Sequence, residues 1–159
     1  MITRVRLLTS LGTGGVIYLS PLVFNQINFS ATQIGSGLGA AATIGTVARL
    51  LSGGLLDRGV KCSTPIRWAA LITIVADLLL FQANSFNNYL QGQLLLGVAA
   101  GLYWPAIELS VNISCCEFPS SKGYALVRSA DALGFSLGTL LGTLAAWMGF
   151  IRMIYLVDT

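Results

Sequence analysis

Four ionisable residues stand inside stretches that are otherwise apolar: Arg49, Asp77, Glu108 and Asp131. A charge at the centre of a membrane helix costs about 2.5–3.5 kcal/mol on insertion scales, so such residues persist where they pair with one another or carry ions. At about 1.5 Å per residue from the inner end of each stretch, Arg49 lies about 10 Å deep, Glu108 and Asp131 about 8 Å, and Asp77 near the midplane. Three of the four share a level, and one arginine can serve two carboxylates. The spacing therefore predicts an intramembrane charge network of Arg49, Glu108 and Asp131, the alternative being an Arg49 that snorkels to the interface. Asp77 stands apart. A lone midplane carboxyl is a candidate proton carrier, because burial disfavours its charged form. It can equally be a neutral acid bonded to a neighbouring hydroxyl.

Other chemistry is poorly supplied. The chain has no histidine, which removes the commonest general base and the commonest metal ligand. The cysteines Cys62, Cys115 and Cys116 form no C-x-x-C pair, so no metal site is expected. They read as reduced loop thiols; palmitoylation of Cys115 and Cys116 has no support in the sequence. No nucleophile–base pair stands out for a hydrolase. The expectation is a protein that is not an enzyme and holds no cofactor.

These residues must be positioned by elements that live in lipid. Of 159 residues, 55% are hydrophobic and 9% charged, with a mean hydropathy of +0.77, against about 25% charged in a soluble domain. Five stretches approach the roughly 20 apolar residues that span a bilayer, at residues 7–27, 34–56, 66–82, 89–113 and 125–147. Lipid offers no partner to an open backbone, so each must be helical. The expected fold is all-α: a polytopic membrane helix bundle of about five transmembrane helices, forming a single domain over residues 1–159. Beyond Trp147 the chain reads as a short turn and the start of a sixth helix that stops about half a membrane short, or as a tail lying at the interface. The first stretch contains Pro21 and closes on no small-residue cleavage site, unlike a signal peptide.

The links between stretches alternate in charge. Arg4 and Arg6 precede the first stretch; Asp57, Arg58, Lys61 and Arg67 flank the second link; Glu117, Lys122 and Arg128 flank the fourth. The links at residues 28–32 and 84–88 carry no charge. The positive-inside rule then places the amino terminus and the charged links in the cytoplasm, with the plasma (inner) membrane as the expected location. Basic loops of this kind account for the net charge of +3, so nucleic acid is not an expected partner.

Glycines recur at spacing four: Gly134, Gly138 and Gly142 in the fifth stretch, Gly35 and Gly39 in the second, Gly97 and Gly101 in the fourth. Such stripes let helices approach closely where burial alone provides no driving force. They serve either static packing or surfaces that slide. Gly35, Gly37 and Ala40 also fit a dinucleotide fingerprint, which is discarded because no strand precedes it.

The segment from Gly53 through Asp57 and Arg58 to Lys61 resembles the signature of the major facilitator superfamily, which lies between the second and third helices on the cytoplasmic side. It departs from that pattern in two places. Gly59 follows Asp57-Arg58 directly, and Cys62 stands where a second basic residue is common. The resemblance implies a conformational latch formed by Gly53, Asp57, Arg58 and Lys61. Arg49, Gly53 and Asp57 are spaced by four, which puts them on one helix face. The glycine-rich run from Gly97 to Pro105 is similar to the family's fourth helix, although Gln93 replaces a common arginine there. The fifth stretch lacks the Gly-Pro pair of drug–proton antiporters. By the same resemblance Tyr18, Asn25, Tyr103, Trp104 and Glu108 are candidates for the transport path, with Pro21 and Pro105 as kink sites. The implied function is secondary active transport of a small solute by alternating access, with a proton as the candidate coupling ion. The implied partners are the bilayer and either a carboxyl-terminal half or a second copy of the chain. The alternative is a membrane interaction or assembly protein that transports nothing.

Overall fold

The computed structural model describes residues 2–114 and 119–158, and every regular element among them is helical. In chain order these are α1 (Ile2–Gln26), α2 (Ala31–Asp57), α3 (Ser63–Gln82), α4 (Phe86–Ser114) and α5 (Ser120–Trp147), then a 3-10 turn (Ile151–Met153) and the short α6 (Ile154–Asp158). Each of the five expected stretches coincides with a helix, and each helix begins several residues earlier. Four segments, Thr3–Gln26, Ala31–Asp57, Ser63–Gln82 and Phe86–Ile113, are long and apolar enough to cross a bilayer. The chain is an integral membrane protein with the character of a helical bundle. At 28 residues α5 has the length for a crossing, but Lys122, Arg128, Asp131 and its many Gly, Ser and Thr residues dilute its apolar content.

The side chains are distributed as lipid demands. Leu8, Leu50, Leu51 and Leu140 are each more than 60% exposed, whereas Ser10, Ser20, Ser52, Asp77 and Gln93 are buried. Outward-facing leucine meets lipid tails at no cost, while polar groups find partners only between helices.

The residues form two compact units, Met1–Ile27 with Val111–Thr159, and Asn28–Ser110. In the first, α1 packs along α5. A Cβ at Gly134 would lie 2.6 Å from the carbonyl oxygen of Leu7, and one at Gly138 would fall on that of Leu11. Tyr18 and Phe135 meet edge to face at 6.4 Å. The tail then folds back against α1: Tyr155 is fully buried, its hydroxyl 2.9 Å from that of Ser20. In the second unit α4 packs on both α2 and α3. A Cβ at Gly101 would lie 2.5 Å from the carbonyl oxygen of Gly45, and one at Gly92 would lie 2.6 Å from the Leu80 side chain. Ser52 donates to the Leu102 carbonyl at 3.2 Å, and Tyr89 donates to that of Ile34 at 2.8 Å.

Helix ends are closed locally. Ser30 and Gln33 form a capping box at the start of α2, satisfying two backbone donors. At its end Gly59 adopts φ +86°, with Gly59 N–H donating to the Leu56 carbonyl and Val60 N–H to that of Leu55. This is a Schellman motif. The end of α5 repeats it: Gly149 has φ +83°, and Gly149 and Phe150 donate to Ala146 and Ala145.

Three substitutions test the packing and the caps. Gly138→Ala should destabilise the chain by about 1–3 kcal/mol through overpacking. Gly39→Ala, where nothing lies within 4 Å, should be neutral or stabilise it by up to about 1 kcal/mol. Gly59→Ala should cost about 1–2 kcal/mol, because its backbone is left-handed. Reversible unfolding in mixed detergent micelles reads all three.

Candidate functional site

Among the described residues, the most concentrated polar chemistry lies where α1 meets α5. Arg6 stands one turn inside the start of α1, and Ser10 follows four residues later on the same face. Both reach Asp131 of α5. Arg6 Nη2 donates to Asp131 Oδ2 at 2.8 Å, and Ser10 Oγ makes a short hydrogen bond to Oδ1. Arg128, three residues earlier on α5, brings Nη1 to 3.7 Å from the same Oδ2. The Arg6 and Asp131 side chains are 3% and 7% exposed, that of Arg128 58%. Gly134 makes this possible, since it admits α1 backbone one turn beyond Asp131.

The carboxylate thus receives bonds at both oxygens, with an arginine bonded to it in the interior and a second at the surface. A charge-assisted, buried bond of this kind is strong and directional. It clamps α1 to α5.

The other residues singled out in the sequence are placed as follows. Arg49 on α2 and Glu108 on α4 are exposed and belong to the unit that does not contain Asp131. Asp77 is fully buried on α3, in a stretch with Ala76 and Leu80. Gly53 has open space around it, and Asp57, Arg58 and Lys61 are all exposed at the α2–α3 connection. There the departure from the signature has a structural use: Gly59 supplies the left-handed residue that ends α2. Tyr18 and Asn25 lie exposed on α1. Tyr103 and Trp104 lie on α4 just before Pro105, their rings edge to face at 6.1 Å. Gly134, Gly138 and Gly142 all meet α1, Gly142 through Gly15 and the side chain of Leu19. Cys62 is a free, half-buried thiol. Cys115, Cys116 and Glu117 lie outside the described residues.

Arg6 and Ser10 were not anticipated as site residues. The sequence reading counts Arg6 as a topological charge before the first helix, because it starts that helix at residue 7. The available signal was the spacing of four between Arg6 and Ser10, matched by the spacing of three between Arg128 and Asp131.

Removing one partner of a buried pair strands the other. Arg6→Ala or Asp131→Ala should therefore each destabilise the chain by about 3–5 kcal/mol, while the double replacement Arg6→Met with Asp131→Leu should recover most of that loss. A double-mutant cycle by detergent unfolding measures it.

No protein-family model matches the chain. It is 30% identical over 146 residues to the mouse protein "Major facilitator superfamily domain-containing protein 10", an alignment covering 87% of this chain and 30% of that protein. The chain therefore spans under a third of the length of this curated relative. The similarity is distant, and it points to a relation with the major facilitator superfamily.

Proposed function

We propose that this chain is the amino-terminal part of a secondary transporter of the major facilitator type, moving a small solute across the membrane by alternating access. The observation that carries the reading is the similarity to a protein of that family name along 87% of the chain. The exposed Asp57-Arg58 pair at the capped end of α2 adds to it.

On this reading residues 1–159 form one transmembrane domain with α5 as a fifth span, and the amino terminus faces the cytoplasm in the plasma (inner) membrane. Gly53, Asp57, Arg58 and Lys61 latch one state of the cycle. Gly53 keeps the helix face open for another helix, and Asp57 offers an acceptor to its end. Arg49 and Glu108 add charge along the inner halves of α2 and α4. Tyr18, Asn25, Tyr103 and Trp104 line the path, and Asp77 carries a proton. The chain needs a complementary half, whether a carboxyl-terminal continuation, another polypeptide or a second copy.

The test is a flux measurement. The chain, alone and with a candidate second half, is reconstituted in liposomes that enclose a pH-sensitive dye. A panel of small neutral, anionic and cationic solutes is then added across an imposed pH gradient. The reading expects solute-dependent proton movement that Asp57→Ala slows about tenfold or more, a barrier change of about 1.4 kcal/mol. Asp77→Asn should abolish its pH dependence. Absence of flux with every solute and every second half would favour a non-transporting assembly protein.

A further inference from the structure

One arginine of the second unit stands on a lipid-facing surface. Arg49 is exposed on α2, eight residues before the helix ends at Asp57, or about 12 Å at 1.5 Å per residue. Its neighbours Val47 and Leu50 are 47% and 73% exposed, as residues that meet lipid tails are. Among the described residues, no ion pair or hydrogen bond engages the Arg49 side chain. Glu108 on α4 is exposed as well, but it is not bonded to Arg49.

The adjoining helix marks the level of the membrane boundary. α3 starts at Ser63, and Trp68, five residues in, is 59% exposed beside the exposed Arg67. An exposed tryptophan favours the membrane–water boundary. The short link at residues 58–62 keeps the ends of α2 and α3 near one level. The boundary then runs about 7 Å inside the helix ends, with Arg49 about 5 Å below it. An arginine at that depth turns its guanidinium towards the boundary. On α2 the way is open: Gly53 stands one turn nearer, and a Cβ at Gly53 or Gly54 would meet nothing within 4 Å. Beyond the notch lie Arg58, Lys61 and Arg67, all exposed, which outnumber the acidic Asp57 and Glu108.

We propose that this notch on α2 holds an anionic phospholipid, with the Arg49 guanidinium donating to its phosphate and Gly53 leaving room for the headgroup. The planar fork of arginine matches phosphate oxygens, and a hydrogen bond between ions is the strong kind. Arg58, Lys61 and Arg67 draw anionic lipid to the surface around the notch. The same groups repel the ammonium of a zwitterionic headgroup. A second copy of the chain suits the face less well, because two-fold pairing across it would set Arg49 against Arg49. Gly53 also differs from Gly97 and Gly101, whose missing side chains are replaced by the backbone of α2. On the transport reading the lipid and the complementary half compete for Gly53, but binding itself requires only the membrane character of the chain.

Native mass spectrometry of the full chain in neutral detergent, titrated with phosphatidylglycerol or with phosphatidylcholine, tests it. The chain should bind phosphatidylglycerol more tightly than phosphatidylcholine. Arg49→Gln should weaken that binding about fivefold or more, the loss of one basic group near the headgroup. Arg49→Lys should restore part of it, since the charge is kept and the fork lost. Gly53→Leu, which fills the notch and leaves every charge in place, should weaken binding as Arg49→Gln does. Neither position carries a side-chain contact that the fold needs, so all three variants should keep the wild-type circular dichroism. Equal binding of the two lipids would overturn the inference. Wild-type affinity in Arg49→Gln would also overturn it, and would point to a carboxylate on a partner helix as the anion. A loss in Arg49→Gln with none in Gly53→Leu would mean diffuse attraction in place of a site, and would overturn it too.

Discussion

Helices in lipid are not driven together by escape from solvent, because the solvent is as apolar as their side chains. What holds this chain together is therefore backbone approach, and the approach depends on residues that have almost no side chain. Gly134 and Gly138 admit α1 to α5, and Gly97 and Gly101 admit α2 to α4. Once backbones are this close, dispersion contacts accumulate and short polar side chains reach the opposite helix. Ser10 to Asp131, Ser52 to Leu102 and Tyr89 to Ile34 are all such bonds. The Arg6–Asp131 pair is the strongest case. It forms because Gly134 brings the two helices to a distance that an arginine side chain can close.

The helices themselves owe their limits to local rules. Lipid forces the backbone to satisfy itself, and at the ends of α2 and α5 it does so through a left-handed glycine two residues past the helix. The capped end of α2 presents Asp57 and Arg58 on a defined turn. The same device at α5 reverses the chain, so that Tyr155 and Asp158 come back onto α1.

Element existence was legible in the sequence because twenty apolar residues in a row have one physical outcome in lipid. The glycine stripes were legible for a related reason: at spacing four they can only face one side. Helix starts were less legible. Each helix begins several residues before its apolar run, since helical hydrogen bonding continues into the interface where polar residues are tolerated. That shift is why Arg6 was taken for a flanking charge. The pairing of Asp131 was legible as a need, given the cost of a buried carboxylate, but its partner was not. Depth counting cannot tell which helices are neighbours. The contacts of Asp158 and Tyr155 were hidden for another reason. The five described residues of α6 are too few to show a periodicity, and their place is set by the groove between α1 and α5.

One further consequence follows from the glycine faces. In a water-soluble protein the interior tolerates the least change and the surface the most, and large residues mark the interior. Here many of the large aliphatic residues point outward, where one such side chain serves lipid as well as another. At Gly14, Gly97 and Gly138 the nearest obstacle is main chain, which cannot retreat as the end of a side chain can. A map of tolerated substitutions along this chain would therefore look inverted. Leucine, isoleucine and valine would interchange freely across Leu50, Leu51 and Leu140, while a single added methyl group at Gly138 would be rejected. Read from variation alone, the emptiest positions in the sequence would emerge as the most constrained.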